Sequence, residues 1–302
     1  MYFKNLGQNL GQYINKLNKL KTNKYLPIIL FAIVSAIIYF CYFHVISKQN
    51  NTESFEPNVT PKLSSVVLVG TARNIESHLP KTFDNIKMIC DCFEKSNVII
   101  YENDSTDKTL QLLQNWAKER PNAEIITEKN VPGMRTHRLA HGRNIVMNKA
   151  LQLNPEYVVV MDLDDVNNLL TKDAFMSSFT YLDVDWAVMT ANQSEVYYDL
   201  WALRTYDDWM PFDCWACAKN DTVEHCVNSR FKKIDRESPL ISVKSAFGGL
   251  GIYKTKYLDG CKYDGGKDNF ELLEHASFHD GILKNGGKIY INPKMINCVG
   301  KK

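Results

Sequence analysis

The sequence lacks a strong net charge, low-complexity tracts in its main part, and more than one long apolar run. Its 302 residues carry 36 Lys and Arg against 34 Asp and Glu, so the overall charge does not favour nucleic acid as a partner. The composition, with 45% hydrophobic residues, 15 glycines and 10 prolines, excludes a disordered chain, a collagen and a coiled coil. A single apolar run excludes a polytopic transporter. The length suits one large domain or two small ones.

The one long apolar run covers residues 25–46 and contains no Asp, Glu, Lys or Arg. At about 1.5 Å per residue it spans roughly 33 Å, enough for the hydrocarbon core of a bilayer. A cleaved signal peptide would have a shorter core and small residues before the cut, and a buried core helix would have a polar face. The run therefore predicts a membrane anchor.

The flanks of this run predict its orientation. Residues 1–24 carry several lysines and no acid, so the positive-inside rule keeps the N-terminus in the cytosol. The expected organisation is a cytosolic basic tail (1–24), an anchor in the lipid bilayer (25–46), a polar stem (47–62) and an exported domain (63–302). This is a type II single-pass protein, expected in the Golgi or endoplasmic reticulum membrane, with a host or viral membrane as the alternative.

Seven cysteines lie outside the predicted anchor, and an exported domain permits disulfides. An odd number leaves at least one thiol or an intermolecular bond. Cys214 and Cys217, with His225 and Cys226, leave two interpretations open. One is a disulfide, which we favour, and the other is a zinc cluster of unusual spacing.

Short apolar strands alternate with helical segments after residue 63, which predicts an α/β fold with a mostly parallel sheet. The predicted strands are 65–69, 97–101, 123–126, 157–161 and 186–189. We expect one helix capped by Asp104 or Ser105 and another that opens at His141. Polar clusters follow the strands, and ligands of such folds bind beyond the carboxyl ends of parallel strands.

The central cluster is Asp162-Leu163-Asp164, directly after an apolar strand. Residues two apart on an extended chain point the same way, so both carboxylates can face one cation. Such hard oxygen ligands suit Mn²⁺ or Mg²⁺, which also bind phosphate oxygens. A helix cap or a solvated turn is the alternative for an isolated pair of this kind.

Two further motifs lie before this cluster: residues 102–107 (ENDSTD), after the second predicted strand, and Gly142-Arg143-Asn144, before the fourth. The order of the three motifs resembles glycosyltransferases of the GT-A fold in the family-two-like group. Residues 102–107 (ENDSTD) resemble the acidic element after the second strand, although Glu102 and Asn103 stand where the family has two aspartates. Gly142-Arg143-Asn144 resembles the element that precedes the metal strand. The resemblance implies a GT-A (nucleotide-diphospho-sugar transferase) fold.

Further motifs are Arg135–Ala140 (RTHRLA), Tyr198–Arg204 (YDLWALR), Phe247–Tyr253 (FGGLGIY), the pair Glu274-His275, and Ile291–Pro293 (INP). These motifs carry a narrower resemblance to the fungal capsule α-1,3-mannosyltransferase family. Together the motifs cover about residues 64–296.

These resemblances imply roles for individual residues. The expected donor-binding residues are Thr71, Arg73, Glu102, Asn103, Asp107, Arg138, Arg143 and Asp162. The expected metal ligands are Asp162, Asp164, His275 and His279. The expected acceptor-binding residues are Asp199, Trp201, Arg204, Gly248 and Gly249. Alternatives stay open for several of them: an arginine can pair with a neighbouring Asp, a lone His or Trp201 can belong to the core, and the glycines can form a turn.

Glu274 is the expected catalytic carboxylate. Inverting enzymes carry a general base at the resembling position, which takes the proton from the acceptor hydroxyl. The capsule mannosyltransferases are regarded as retaining, and in that case Glu274 orients the acceptor or supports the metal.

The sequence therefore predicts a membrane-anchored, metal-dependent glycosyltransferase. It would transfer a hexose, with mannose favoured, from a nucleotide-diphosphate sugar to a hydroxyl of a glycan or glycoprotein. One alternative is a non-catalytic, anchored carbohydrate-binding or scaffold protein. The other is a sugar-nucleotide pyrophosphorylase, which would need a glycine-rich phosphate loop after the first strand, where residues 70–72 (GTA) have none.

Overall fold

The structure, a computed structural model, describes residues 62–300. The predicted tail and anchor, and all of the predicted stem except Lys62, lie outside the described residues. Within 62–300, no helix has both the length and the apolar character needed to cross a membrane.

The described chain alternates strands and helices. The strands are β1 (Leu63–Ala72), β2 (Phe93–Asn103), β3 (Ala123–Glu128), β4 (Tyr157–Met161), β5 (Val188–Gln193), β6 (Arg204–Thr205), β7 (Ile241–Ser245), β8 (Leu250–Lys254), β9 (Gly266–Lys267), β10 (Phe270–Glu271) and β11 (Ile289–Cys298). The α-helices are α1 (Leu79–Cys90), α2 (Thr109–Lys118), α3 (Arg135–Gln152), α4 (Lys172–Met176), α5 (Cys214–Asn220), α6 (Val223–Cys226) and α7 (Glu274–Lys284).

Nine strands form one mixed sheet in the order β3-β2-β1-β4-β8-β5-β11-β7-β6. The first four are parallel, and β8 then runs antiparallel between β4 and β5. β11 is parallel to β5 and antiparallel to β7. Because β7 and β8 alone oppose the other strands of this sheet, the prediction of a mostly parallel α/β sheet is confirmed.

The central segments of the first strands, such as Val66–Val69 of β1 and Val98–Ile100 of β2, are continuously apolar, as is typical of strands whose two faces are both covered. On β1, Val67 and Val69 pack with α3, whereas Val66 and Leu68 pack with α1 on the other face. Successive side chains of a strand point to opposite faces, so one apolar run serves two core clusters.

Two helices begin at residues other than those predicted. Asp104 does not cap a helix, because its carboxylate accepts the backbone N–H groups of Asn130 (2.6 Å) and Val131 (3.2 Å). Helix α2 begins at Thr109 instead. Helix α3 begins at Arg135, before the predicted start at His141, which places Gly142 inside the helix.

The carboxyl ends of β1, β2 and β4 meet at one edge of the sheet, as predicted. Ala72 lies level with Glu102, and Val69 lies level with Val160. This register places the residues that follow β4, which include Asp162, beside the end of β1. The fold therefore gathers the polar clusters into one place.

The cysteine prediction is confirmed in its disulfide form. Cys217 and Cys226 are joined by a disulfide, while the remaining described cysteines are thiols. His225 pairs with Asp221 and does not join a zinc cluster.

Replacing Leu68 by Ala should destabilise the fold strongly. Leu68 is fully buried at the centre of the sheet, so we expect a loss of about 2–5 kcal/mol in the free energy of unfolding. The matched control is Leu182→Ala, at a leucine that is 89% exposed, which should change stability by less than about 0.5 kcal/mol. Urea denaturation of the purified proteins measures both, and equal losses would contradict the assignment of this core.

Candidate active site

A cleft of about 300 Å³ opens at the edge where the strands end. It brings together seven of the predicted site residues, which are Thr71, Arg73, Asn103, Arg138, Arg143, Asp162 and Asp164. Arg135 and Leu139 of α3 also line it, one turn or less from Arg138. Four guanidinium groups and two carboxylates therefore surround one small space, an arrangement suited to a polyanion and a cation.

Arg143 is the buried centre of the charges in this cleft. Its side chain is 4% exposed, and it donates from Nη2 to Asp162 Oδ1 (2.8 Å) and from Nε to Glu274 Oε1 (3.1 Å). Burial alone would lower the pKa of the guanidinium, but Asp162 and Glu274 raise it above its usual range. Arg143 thus joins the end of β4 to the first residue of α7.

Several buried polar atoms around Arg143 have no hydrogen-bond partner among the described residues. They are Arg143 Nη1, Glu274 Oε2, Tyr263 OH and both ring nitrogens of His275. The His275 ring stacks on Phe247 with centroids 3.8 Å apart, and Tyr263 meets it edge-on. Because buried polar groups are normally satisfied, these atoms indicate a place where water or a ligand hydroxyl completes the network.

Asp162 and Asp164 are the residues that fit a divalent cation. Asp162 gives one oxygen to Arg143, and its other oxygen has no partner among residues 62–300. Asp164 lies at the exposed mouth of the cleft, where crowding by protein atoms and the neighbouring Asp162 raise the pKa of its carboxyl. Two hard carboxylates that repel each other are suited to Mn²⁺ or Mg²⁺, which a bound diphosphate would help to hold.

The structure does not bring the four predicted metal ligands together. Within the described part of the chain, no group of three or more His, Cys, Asp and Glu side chains is arranged to hold a metal. His279 uses both ring nitrogens in the core, one with Ser245 Oγ (2.9 Å) and the other with Tyr253 OH (3.0 Å). His275 lies among aromatic rings. Both histidines are therefore core residues in this structure.

The predicted glycine pair forms a tight turn beside the cleft. Gly248 and Gly249 have φ angles of +65° and +86°, in the left-handed region that favours glycine. The Gly249 carbonyl accepts the backbone N–H of Asp162 (2.9 Å), so the turn fixes the start of the Asp-Leu-Asp segment.

Buried amides that the sequence analysis missed hold this turn in place. Asn167 Nδ2 donates to the carbonyls of Asp162 (2.9 Å) and Gly249 (3.0 Å), and Asn297 Nδ2 donates to Gly248 O (2.7 Å) and Asn167 Oδ1 (3.0 Å). Neither asparagine belongs to a motif, and asparagine is common in loops, so the sequence carried no signal of their role.

Asp199 contacts the glycine turn, which brings together three residues of the predicted acceptor set. Its carboxylate accepts the backbone N–H of Gly248 (2.8 Å). Enclosure by protein atoms, followed by the charges of Asp162 and Glu274, raises the pKa of Asp199 to about 6. The carboxylates of Asp199, Asp162 and Glu274 therefore lie within electrostatic range of one another.

Glu102 lies in an adjoining cavity of about 460 Å³ that shares Arg73 with the cleft. It is 1% exposed and accepts hydrogen bonds from Ser105 N (2.9 Å) and Thr127 Oγ1 (2.8 Å). Asp107 lines neither space, because its carboxylate accepts the backbone N–H groups of Glu76 and Thr109 at the start of α2. The structure gives Asp107 a capping position rather than a place in the cleft.

Two predicted acceptor residues lie in structural contacts. Arg204 pairs with Asp213 and donates to the carbonyls of Trp201 (2.8 Å) and Leu203 (2.7 Å). Trp201 packs against Trp215, with ring centroids 4.7 Å apart. The core alternative left open for Trp201 fits these contacts.

Residues 67–203 match the sequence model of the family described as Glycosyl transferase family 2. This segment of the chain is therefore similar to the glycosyltransferases of that family. The match covers β1 to the segment after β5, and so includes every predicted donor-binding residue. Together with the sheet order it confirms the GT-A type of α/β fold. Glu274 and the glycine turn lie beyond the matched residues, and no curated protein matches the chain.

The chain is also similar to several solved structures that contain bound nucleotides. A mannosyltransferase from Pyrobaculum calidifontis, in complex with GDP-Man and Mn²⁺, is 16% identical with a TM-score of 0.46, over 90% of this chain and 66% of its own. S. aureus TarS 1-349 in complex with UDP-GlcNAc is 16% identical with a TM-score of 0.48, and the similarity covers 80% of this chain and 59% of that one. Glucosyl-3-phosphoglycerate synthase from Mycobacterium tuberculosis, in complex with Mn²⁺, UDP and phosphoglyceric acid, is 14% identical with a TM-score of 0.41. The similarity covers 79% of this chain and 69% of that one. The chain thus spans less than two thirds of the length of the Pyrobaculum calidifontis and S. aureus proteins.

Replacing Arg143 by Met should leave the carboxylates of Asp162 and Glu274 without the guanidinium group that pairs with both of them. We expect a loss of about 3–5 kcal/mol in the free energy of unfolding, as for other broken buried ion pairs. Adding Glu274→Gln should recover part of it, because the pair is coupled. Urea denaturation of the single and double variants measures the coupling. Lys87→Met, in the exposed pair with Asp91, should leave stability nearly unchanged, and strict additivity at Arg143 and Glu274 would refute the coupling.

Stability should fall as the solution becomes acidic, in part because of His279. Burial lowers the pKa of this histidine to about 3, below its unfolded value of about 6.5. The neutral ring therefore stabilises the fold above about pH 6.5, and this contribution is lost at up to about 1.4 kcal/mol per pH unit as the pH falls toward 3.

Unfolding free energies measured from pH 7 to pH 4.5 test this dependence. His279→Gln should flatten the pH profile relative to the unmodified chain. Tyr253→Phe removes a hydrogen bond to the same ring but no group that titrates in this range, so it should lower stability by a similar amount at each pH. An unchanged slope in His279→Gln would show that the histidine is not held neutral.

Proposed function

We propose that the protein is a membrane-anchored, metal-dependent glycosyltransferase that transfers a hexose from a nucleotide-diphosphate sugar to a hydroxyl of a glycan or glycoconjugate. The observation that carries the proposal is the cleft itself, where Arg73, Arg138 and Arg143 face the same space as Asp162 and Asp164. Guanidinium groups bind diphosphate oxygens, and paired carboxylates bind the cation that accompanies a diphosphate.

Each group in the cleft has a task in this proposal. Arg73 and Arg138, at the more open positions, bind the diphosphate, while Asp162 and Asp164 hold Mn²⁺ or Mg²⁺. When bound, the cation neutralises charge on the departing nucleoside diphosphate. Glu102, in the adjoining cavity, binds the nucleoside.

Glu274 orients the acceptor in this proposal. Its Oε1 is held by Arg143, while its buried Oε2 has no partner among the described residues and is available to accept a hydrogen bond from the attacking hydroxyl. Whether Glu274 also takes the proton depends on the stereochemical course, and an inverting reaction would require a base at such a place. The glycine turn and Asp199 form the adjacent wall of the acceptor site.

Mannose is the favoured sugar, and this choice rests on the sequence resemblance to the capsule α-1,3-mannosyltransferases. The type II anchor rests on the apolar run at 25–46 and the lysine-rich residues before it. The Cys217–Cys226 disulfide supports an exported domain, since disulfides persist in oxidising compartments.

Donor hydrolysis by the purified full-length chain in a neutral detergent tests the proposal. GDP-mannose, UDP-glucose, UDP-N-acetylglucosamine and UDP-galactose are each supplied with Mn²⁺ or with a chelator. We expect one donor to release its nucleoside diphosphate slowly, and chelation to abolish the release. Asp164→Ala should lower the rate by about 100-fold or more, as for loss of a group that stabilises developing charge.

Asp173→Ala is the matched control, because this exposed aspartate lies on α4 and does not line the cleft. It should leave hydrolysis unchanged. Turnover that survives both chelation and Asp164→Ala would contradict a metal-dependent site. The absence of both turnover and metal-dependent nucleotide binding would instead favour the carbohydrate-binding or scaffold alternative.

A further inference from the structure

A second cavity, of about 490 Å³, lies apart from the candidate active site. It is formed by the segment after Asn167, by α4, by the loop that precedes β7, and by β11. None of its lining residues lines the catalytic cleft or the adjoining cavity with Glu102. The proposed transferase reaction gives this space no task.

The rim of this cavity is cationic. Lys233, Arg236 and Lys294 line it, and Asp235 is the one acid in its lining. Asp235 uses its carboxylate to accept the backbone N–H of Glu237 (2.8 Å). Lys233 has a solvent-exposed pairing with Glu195 at 3.6 Å, whereas Arg236 and Lys294 form no ion pair with any residue in 62–300. The rim therefore has a surplus of positive charge that an anion would compensate.

Buried amides hold the two cationic segments in fixed positions. Asn192 is fully buried, and its Nδ2 donates to the carbonyls of Ile234 (3.2 Å) and Pro293 (3.0 Å). Asn192 thus ties the loop that carries Lys233 and Arg236 to the strand that carries Lys294. Because both segments are fixed by the core, ligand binding would not have to order them.

An irregularity in β11 brings Lys294 to this rim. The pairing of β11 with β5 shifts between Ile291 and Ile296, and Lys294 lies in the shifted segment. Asn292 Oδ1 accepts the Lys294 N–H (3.0 Å), which fixes the backbone there. Bulges of this kind redirect side chains and are typical of functional positions rather than of regular sheet.

The floor of the cavity is apolar. Ile234 is 4% exposed, Ile296 is half-buried, and Leu169 stands at the mouth with 44% of its surface exposed. A fully solvated anion such as free phosphate would leave these groups uncovered. A ligand with a hydrocarbon segment beside its charged group would cover them and gain the free energy of apolar burial.

We propose that this cavity binds an amphipathic phosphate ester, with the phosphate between Arg236 and Lys294 and the adjoining hydrocarbon on Leu169 and Ile296. The several oxygens of a phosphate match cations supplied by separate segments, since each cation can donate to a different oxygen. The site is independent of the proposed transferase function, because no residue is shared with the cleft.

Ligand binding to the purified full-length chain in a neutral detergent tests the proposal. The probes are dihexanoyl phosphatidic acid, dihexanoyl phosphatidylcholine and inorganic phosphate, with affinities measured by isothermal titration calorimetry. We expect the phosphatidic acid to bind at least about tenfold more tightly than either of the others. The double variant Arg236→Glu with Lys294→Glu should weaken the binding of phosphatidic acid by at least tenfold. Leu169→Asn should weaken the binding of phosphatidic acid but leave the binding of inorganic phosphate unchanged.

A matched double variant, Lys95→Glu with Lys118→Glu, makes the same charge change at exposed lysines outside the cavity and should bind as the unmodified chain does. If both double variants weakened the binding of phosphatidic acid equally, the effect would come from net charge alone, and the proposed site would be wrong. Inorganic phosphate or phosphatidylcholine binding as tightly as phosphatidic acid would also overturn it. Metal-dependent nucleotide binding, measured on the same samples, reports separately on the catalytic cleft and on folding.

Discussion

The candidate active site depends on one buried guanidinium. Arg143 places a permanent positive charge where the first half of the sheet meets the start of α7, and both neighbouring carboxylates, Asp162 and Glu274, bond to it. A buried cation is tolerated only if it is paired, so this arrangement fixes the positions of Asp162 and Glu274 relative to each other. The unsatisfied polar atoms beside it, among the described residues, mark a place where a water or a ligand hydroxyl can complete the hydrogen bonding.

The two halves of the site are built by different means. The cleft forms mainly at the carboxyl ends of parallel strands that share one edge, so its residues fall in an orderly series along the chain. The Gly248–Gly249 turn beside it is assembled from distant segments, because Asn167 and Asn297 hold it from two other parts of the chain. The family match ends before this turn and before Glu274.

The parts of the fold that follow from local pattern were predictable. Apolar runs identified the first strands, and Asp162 and Asp164 were placed beside Arg73 because strand ends share an edge. The helix cap predicted at Asp104 was wrong, because its carboxylate bonds to the chain at Asn130. The contacts of His279, which bonds through both ring nitrogens in the core, depend on residues distant in the sequence and could not be predicted. The roles of Asn167, Asn192 and Asn297 could not be predicted, because an amide is informative only once its partners are known.

The position of β8 has a consequence for how the protein is made. β4 pairs with β1 on one side and with β8 on the other, and β8 begins at Leu250, about 90 residues later in the chain. β5 also pairs with β8, so it too lacks this partner until β8 has been synthesised. At the usual elongation rates of about 5–20 residues per second, the unpaired apolar edge of β4 persists for several seconds during synthesis. An open edge of this kind is a template for wrong pairing until β8 closes the sheet.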